Sequence, residues 1–312
     1  MEKPIVSIVI PVYNGANYIR EAIESALAQS YDNIEIVVVN DGSSDDGKTK
    51  AACMEYEGKI SYYEKENGGC SSAINYGIKV SRGEYISWLS HDDLYYPDKI
   101  KHQVELYEKE NLDKNNVIIS NPGGLIDKDG KKIFHPSYGK NGYFDSLEGF
   151  KYLLFEKCFN GCGLLIPRCL FKEGLYFRED MRFVLDWNLW LKFAINGAHF
   201  FVDDRLLVSN RQHSAQVTEK QKELHKKETA ETEEELFSIL KAKNEKSFLD
   251  ELYIFIVSRK SPLSCKIRDY YEKQNYKKPH SRTMMIKMRF SMVGLLKRMY
   301  RMFLKGKKNG RR

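Results

Sequence analysis

In the first hundred residues, short β-branched runs alternate with segments of helical periodicity, and this alternation restricts the fold more than any other feature. Val6 to Val12 reads as a buried parallel strand, and Ile34 to Val39 as a second. Between them Asn14-Gly15-Ala16-Asn17 forms a turn with Asn17 as a candidate N-cap, and Tyr18, Ile19, Ile23, Ala26 and Leu27 recur at helical spacing. A helix from about Gly47 to Tyr56, a strand at Ile60 to Tyr63 and a helix from Ser71 to Val80 follow. Glu84 to Leu89 is a fourth strand, and Pro97 opens the next helix at its first turn. The pattern predicts an α/β fold with a doubly wound, largely parallel sheet. In such sheets ligands sit at the carboxyl ends of strands, where Asp41 and Asp92-Asp93 both fall.

Beyond Val117 to Ser120 the alternation loosens. Asp127 to Gly130 reads as a hairpin turn, Cys162 to Ile166 as a strand and Trp187 to Ile195 as a helix. The composition then turns Lys/Glu-rich, which divides the chain into 1–215, a helical extension over 216–279 and a basic amphipathic tail over 280–312. The net charge of +7 resides in that tail. From His280 onward there are eleven Lys or Arg and no acidic residue, leaving the rest at −4. A nucleic-acid-binding domain would carry its positive face on the fold itself, so none is expected. The six cysteines show no C-x-x-C pair and read as the reduced thiols of a cytoplasmic protein. The opening residues lack the apolar segment of a signal peptide, and no stretch of 18 uncharged apolar residues predicts a transmembrane helix.

Two adjacent carboxylates at a strand end suit a hard divalent cation that takes the rest of its shell from phosphate and water. By spacing alone, an Asp-Asp pair such as Asp92-Asp93 is more often a solvated turn or helix cap. Asp41-Gly42-Ser43-Ser44-Asp45 is equally a loop held by its own Asx turns, and Asp186 a helix N-terminal cap.

Taken in register, these segments resemble the inverting glycosyltransferase family 2 of GT-A fold, of the bacterial cell-surface polysaccharide type, over about the first 215 residues. Val6-Ser7-Ile8-Val9-Ile10-Pro11-Val12-Tyr13-Asn14 is similar to that family's first strand and loop, and Val38-Val39-Asn40-Asp41-Gly42-Ser43 to its second. Asn67-Gly68-Gly69, Ala73, Asn75, Gly77 and Gly83-Glu84-Tyr85-Ile86 lead into Leu89-Ser90-His91-Asp92-Asp93, at the position of the metal motif. The resemblance implies that Pro11 and Tyr13 line a base and ribose pocket, that Asp41 reads the base, and that Ser90, His91 and Asp92 face the diphosphate with Asp92 on the metal. Ser90 stands where Asp is usual and supplies no charge. Asp93 takes a supporting role. Phe183-Val184-Leu185-Asp186-Trp187 resembles the catalytic segment, with Leu185 where Glu is usual and Asp186 as the implied base. Asn160-Gly161-Cys162-Gly163 resembles the acceptor-side loop. Asn210-Arg211-Gln212-His213 resembles the closing segment, in which Arg211 or His213 neutralises diphosphate charge or completes the metal shell.

The implied function is transfer of a sugar from a nucleoside-diphosphate sugar, with a UDP-sugar as the expected donor, in cell-surface glycan assembly. Mn²⁺ or Mg²⁺ is the implied cofactor, and a glycan or lipid-linked acceptor the implied partner. Between Met284 and Leu304 apolar residues interleave with Lys and Arg, as in an interfacial helix on an anionic membrane, which would place the protein on the inner face of the cell membrane. A sugar nucleotidyltransferase would need a Gly-rich phosphate loop where Pro-Val-Tyr-Asn-Gly stands. A non-catalytic nucleotide-sugar or glycan-binding protein is the alternative that Ser90 and Leu185 raise. A processive synthase is disfavoured by the absence of a Gln-x-x-Arg-Trp motif.

Overall fold

A computed structural model describes residues 3–134, 141–156, 159–213 and 222–275. The strand β1 (Val6–Val12) is buried along its whole length, as its apolar run requires, and pairs in parallel with β2 (Ile34–Asn40). Between them α1 (Ile19–Leu27) turns Ile19, Ala22, Ile23 and Ala26 into the core at helical spacing. Its N-cap is Tyr18 rather than Asn17, because the Tyr18 and Ile19 amides already bond the Gly15 carbonyl. The alternation continues through α2 (Lys48–Met54), β3 (Ser61–Glu64), α3 (Cys70–Val80) and β4 (Tyr85–Trp88). Strands β3, β2, β1 and β4 lie side by side and parallel, so the loops after β1, β2 and β4 emerge along one edge. Pro11 tolerates its missing N–H because β1 pairs with β4 only as far as Val9.

After β4 come β5 (Leu94–Tyr95), α4 (Lys99–Lys109), β6 (Val117–Ser120), β7 (Gly123–Ile126) and β8 (Lys132–Phe134). Next are β9 (Gly142–Phe144), α5 (Ser146–Phe155), β10 (Leu164–Pro167), α6 (Leu185–Ile195), β11 (His199–Val202) and β12 (Val208–Arg211). The expected sheet is mixed: the eight-stranded order is β3-β2-β1-β4-β10-β6-β11-β9, and β10 runs antiparallel to both β4 and β6. This reversal brings the start of β10, rather than its end, to the edge where β4 finishes. A second sheet, β5-β12-β7-β8, contains the hairpin expected at Asp127 to Gly130.

The chain divides into two compact units, Met1–Glu228 and Thr229–Arg312, with the division inside α7 (Lys222–Lys243). The second unit includes α8 (Lys246–Arg259) and α9 (Ser264–Lys273), and within it the Tyr271 hydroxyl donates to Asp250 at 2.6 Å. No helix among the described residues is long and apolar enough to cross a membrane. The basic segment 280–312 lies outside the described residues.

Candidate functional site

The site is built where the parallel strands end. Beyond β1, Tyr13 is 46% exposed and lies with its hydroxyl 3.4 Å from that of Ser44. Beyond β2, Asp41 is almost fully buried and ties its strand to the start of α3. One carboxylate oxygen accepts from Lys65 at 2.9 Å and the Gly68 amide at 3.0 Å, and the other from the Gly69 amide at 2.7 Å. Beyond β4 lies the turn Ser90–Asp93. The His91 ring packs on Gly15 of the first loop, where a β-carbon would fall 2.5 Å from its Cδ2. Burial lowers the pKa of His91; the His213 charge acts the same way and that of Asp92 opposes it.

The Asp92 carboxylate meets the His213 imidazole, Oδ2 to Nε2, at 3.0 Å, although 121 residues separate them in sequence. The His213 ring stands 5.1 Å from that of Tyr18 at the start of α1. A carboxylate oxygen beside an imidazole nitrogen is a donor set that fits Mn²⁺, and Mg²⁺ when phosphate and water complete the shell. Among the described residues no three His, Cys, Asp or Glu groups gather into an all-protein cage. A cation here would therefore share its shell with a ligand such as a diphosphate.

Arg211, expected beside the diphosphate, is turned inward. Its guanidinium is 1% exposed, donates to Glu21 at 2.7 Å, to the Asp92 carbonyl at 2.9 Å and to the Lys128 carbonyl at 3.0 Å, and lies 4.5 Å over the Tyr18 ring. Its charge braces the loop that carries Asp92, so His213 is the member of the closing segment that meets Asp92. Ser90 is likewise turned to the protein: its amide donates to the Cys162 sulfur at 3.3 Å and its hydroxyl lies 3.4 Å from that sulfur. The reversed β10 makes this contact possible by starting beside the end of β4.

Asp186 occupies the first turn of α6, where its Oδ1 accepts the Trp187 amide at 2.7 Å. The Trp187 indole N–H, bonded to the Leu153 carbonyl at 2.9 Å, holds this helix start on α5. Leu185 is buried in the core, consistent with the apolar residue at that position. Three backbone amides, those of Arg182, Phe183 and Val184, converge on the buried Glu228 carboxylate and fix the loop that delivers Asp186.

One site residue was not evident from the sequence. Cys70, at the first position of α3, lies within electrostatic range of Asp41, Asp92 and Asp186 together. Although the residue is exposed, desolvation of its sulfur by the surrounding protein, and then the three carboxylates, push its thiol up to about 12. The only available signal was its place after Asn67-Gly68-Gly69. The carboxylates singled out after β2, after β4 and at α6 thus all act electrostatically on this one side chain.

The fold alone defines a class: the TarS 1-349 structure from S. aureus in complex with UDP-GlcNAc superposes with a TM-score of 0.61 at 16% identity, over 92% of each chain. The family is shown by sequence. Residues 7–171 match the glycosyl transferase family 2 model, and the chain belongs to that family. An uncharacterized glycosyltransferase of Rickettsia typhi is 49% identical over 215 residues, covering 69% of this chain and 66% of the relative. The glycosyltransferase GlyG of Streptococcus pneumoniae is 29% identical over 218 residues, covering 66% of this chain and 71% of the relative. The matched segment spans 31% to 66% of the length of the Rickettsia relatives.

Proposed function

We propose that the chain transfers a sugar from a nucleoside-diphosphate sugar to an acceptor hydroxyl with inversion, in assembly of a cell-surface glycan. The observation that carries this reading is the Asp92–His213 pair, at 3.0 Å, with Asp41, Asp92 and Asp186 all within electrostatic reach of Cys70. Tyr13 offers an exposed ring for a base to stack on, and Asp41 with Lys65 supplies an acceptor and a donor beside it. Asp92 and His213 would hold a divalent cation, which when bound stabilises negative charge on a departing diphosphate. Asp186 takes the proton of the acceptor hydroxyl on the opposite side, as a single inverting displacement requires. A minor teichoic acid biosynthesis protein of Bacillus subtilis, 39% identical over 119 residues, supports the cell-surface assignment.

A UDP-sugar is the first donor to test, since the similar TarS structure holds UDP-GlcNAc. Calorimetry with a panel of nucleotide sugars should show one that binds in Mn²⁺ or Mg²⁺ and loses at least about tenfold in affinity in Asp92→Ala. If no nucleotide sugar binds under any metal condition, the donor assignment is wrong.

The basic segment 280–312 is proposed to rest on an anionic membrane surface, each Lys or Arg there contributing about 1 kcal/mol. Truncation after Pro279 should abolish co-sedimentation with anionic vesicles. Binding that survives truncation rules this out.

A further inference from the structure

A buried polar chain runs behind the Asp92–His213 pair. The Cys162 amide donates to the Asn160 side-chain oxygen at 3.0 Å, which fixes the orientation of that amide. The Asn160 Nδ2 then donates to the Asn210 Oδ1, and the Asn210 Nδ2 to the Asp93 Oδ2 at 2.7 Å. The Cys162 thiol donates to the same Asp93 oxygen at 3.3 Å, and the Arg211 amide to the other at 2.9 Å. Every donor faces an acceptor, and the chain ends on the Asp93 carboxyl, both of whose oxygens accept. Its dense setting is shown by Gly123, where a β-carbon would fall 1.9 Å from Asn210 Oδ1 and 2.1 Å from Asn160 Nδ2.

The register explains why a carboxylate is needed. β12 pairs antiparallel with β5 through Val208–Tyr95 and Ser209–Leu94. Two residues further, opposite Arg211, the ladder has already ended, since Asp92 and Asp93 belong to the turn closed by the Asp93 amide on the Ser90 carbonyl. The Arg211 amide would lose its acceptor there, and the Asp93 side chain takes the place of the missing carbonyl. The end of β12, two residues before His213, is thereby fastened to the residue adjoining Asp92.

We propose that Asp93 is a positioning residue which, through Asn210 and the Arg211 amide, sets His213 against Asp92. For the metal it rests on the function proposed above. Asp93→Asn presents an N–H₂ group either to the Asn210 amide or to the Arg211 N–H, so one donor faces another in both orientations. Combining it with Asn210→Asp restores the match along the amide chain, because the new carboxylate accepts from the amide at 93 and from Asn160, while the Cys162 sulfur, no longer donating, takes the acceptor role toward the amide at 93.

The test uses the full-length protein and two readouts. The first is the ¹⁵N signals of the His213 ring without metal, which report its bond to Asp92. The second is Mn²⁺ affinity in the presence of UDP. Asp93→Asn should shift the ring signals and weaken Mn²⁺ binding by about 10- to 100-fold, and the double variant should recover both. Unchanged ring signals in Asp93→Asn overturn the proposal. If Asp93→Asn fails to fold, a folded double variant with wild-type ring signals supports it, and an unfolded one overturns it. A wild type that takes up no Mn²⁺, with ring signals still following the swap, removes the metal assignment and leaves the positioning role standing.

Discussion

Asp186→Asn is expected to lower the transfer rate by about 10²- to 10⁴-fold while leaving the affinity for the nucleotide-sugar donor unchanged. The substitution isolates basicity. An amide keeps the oxygen that accepts the Trp187 N–H, so the first turn of α6 is preserved, and the Trp187–Leu153 bond that seats it is untouched. What the substitution removes, under the proposed mechanism, is the ability to take a proton from the acceptor hydroxyl. Binding of the donor should be spared because Asp186 is carried on α6, whereas Tyr13, Asp41 and Asp92 follow the parallel strands. Single-turnover rates with saturating donor, together with calorimetry, provide the check. A variant with most of its rate would mean that another group is the base.

The second large effect concerns stability. Lys99→Met should become progressively more stable relative to wild type as pH falls from about 10 to 7, by about 1.4 kcal/mol per pH unit. The Lys99 ammonium is fully buried at the start of α4, and burial lowers its pKa to about 7, with the nearby Cys162 opposing slightly. It donates to Ser87 at 2.8 Å, Gln103 at 2.9 Å and the Leu164 carbonyl at 3.3 Å, and stands 4.2 Å over the Tyr95 ring; no carboxylate compensates it in these contacts. Between the folded value of about 7 and the ordinary value of 10.5, the unfolded chain binds a proton that the folded chain does not. Wild-type stability therefore rises with pH through that window, and the full penalty is present below it. At high pH the variant should be the less stable, because the neutral amine still donates two hydrogen bonds that methionine cannot make, each worth about 1 kcal/mol. Chemical denaturation of both proteins at matched pH measures the gap. A gap that stays flat between pH 7 and 9 would show that Lys99 keeps its charge on folding.

The same residue shows why parts of this molecule were hidden from sequence. A lysine in an amphipathic helix normally turns outward, and nothing in the pattern of Lys99 to Lys109 marks the first residue as buried. Its burial depends on β10 entering between β4 and β6, which brings the Leu164 carbonyl over it. The direction of β10 is equally absent from local pattern, since an apolar run of four reads alike in either sense. Asp93 and its partners Asn210 and Arg211 lie more than a hundred residues apart, and Asn160 and Cys162 join them only through that reversed strand. Arg211 matched a closing segment in sequence, yet its surroundings, Glu21, the Lys128 carbonyl and the Tyr18 ring, turned its charge away from the cleft.

Sequence alone determined the alternating strands and helices of the first hundred residues and the carboxylates at their ends. Buried parallel strands must be continuously apolar, and a polar residue where such a run stops marks the edge on which ligands bind. Tertiary structure alone decided what those carboxylates meet. Asp92 faces His213, Asp93 faces Asn210 and the Arg211 amide, Asp41 faces Lys65 and two glycine amides, and Cys70 feels the charges of Asp41, Asp92 and Asp186. Periodicity specifies which face of an element is buried. Which distant element covers that face depends on strand order and direction, and these are settled only when the whole core packs.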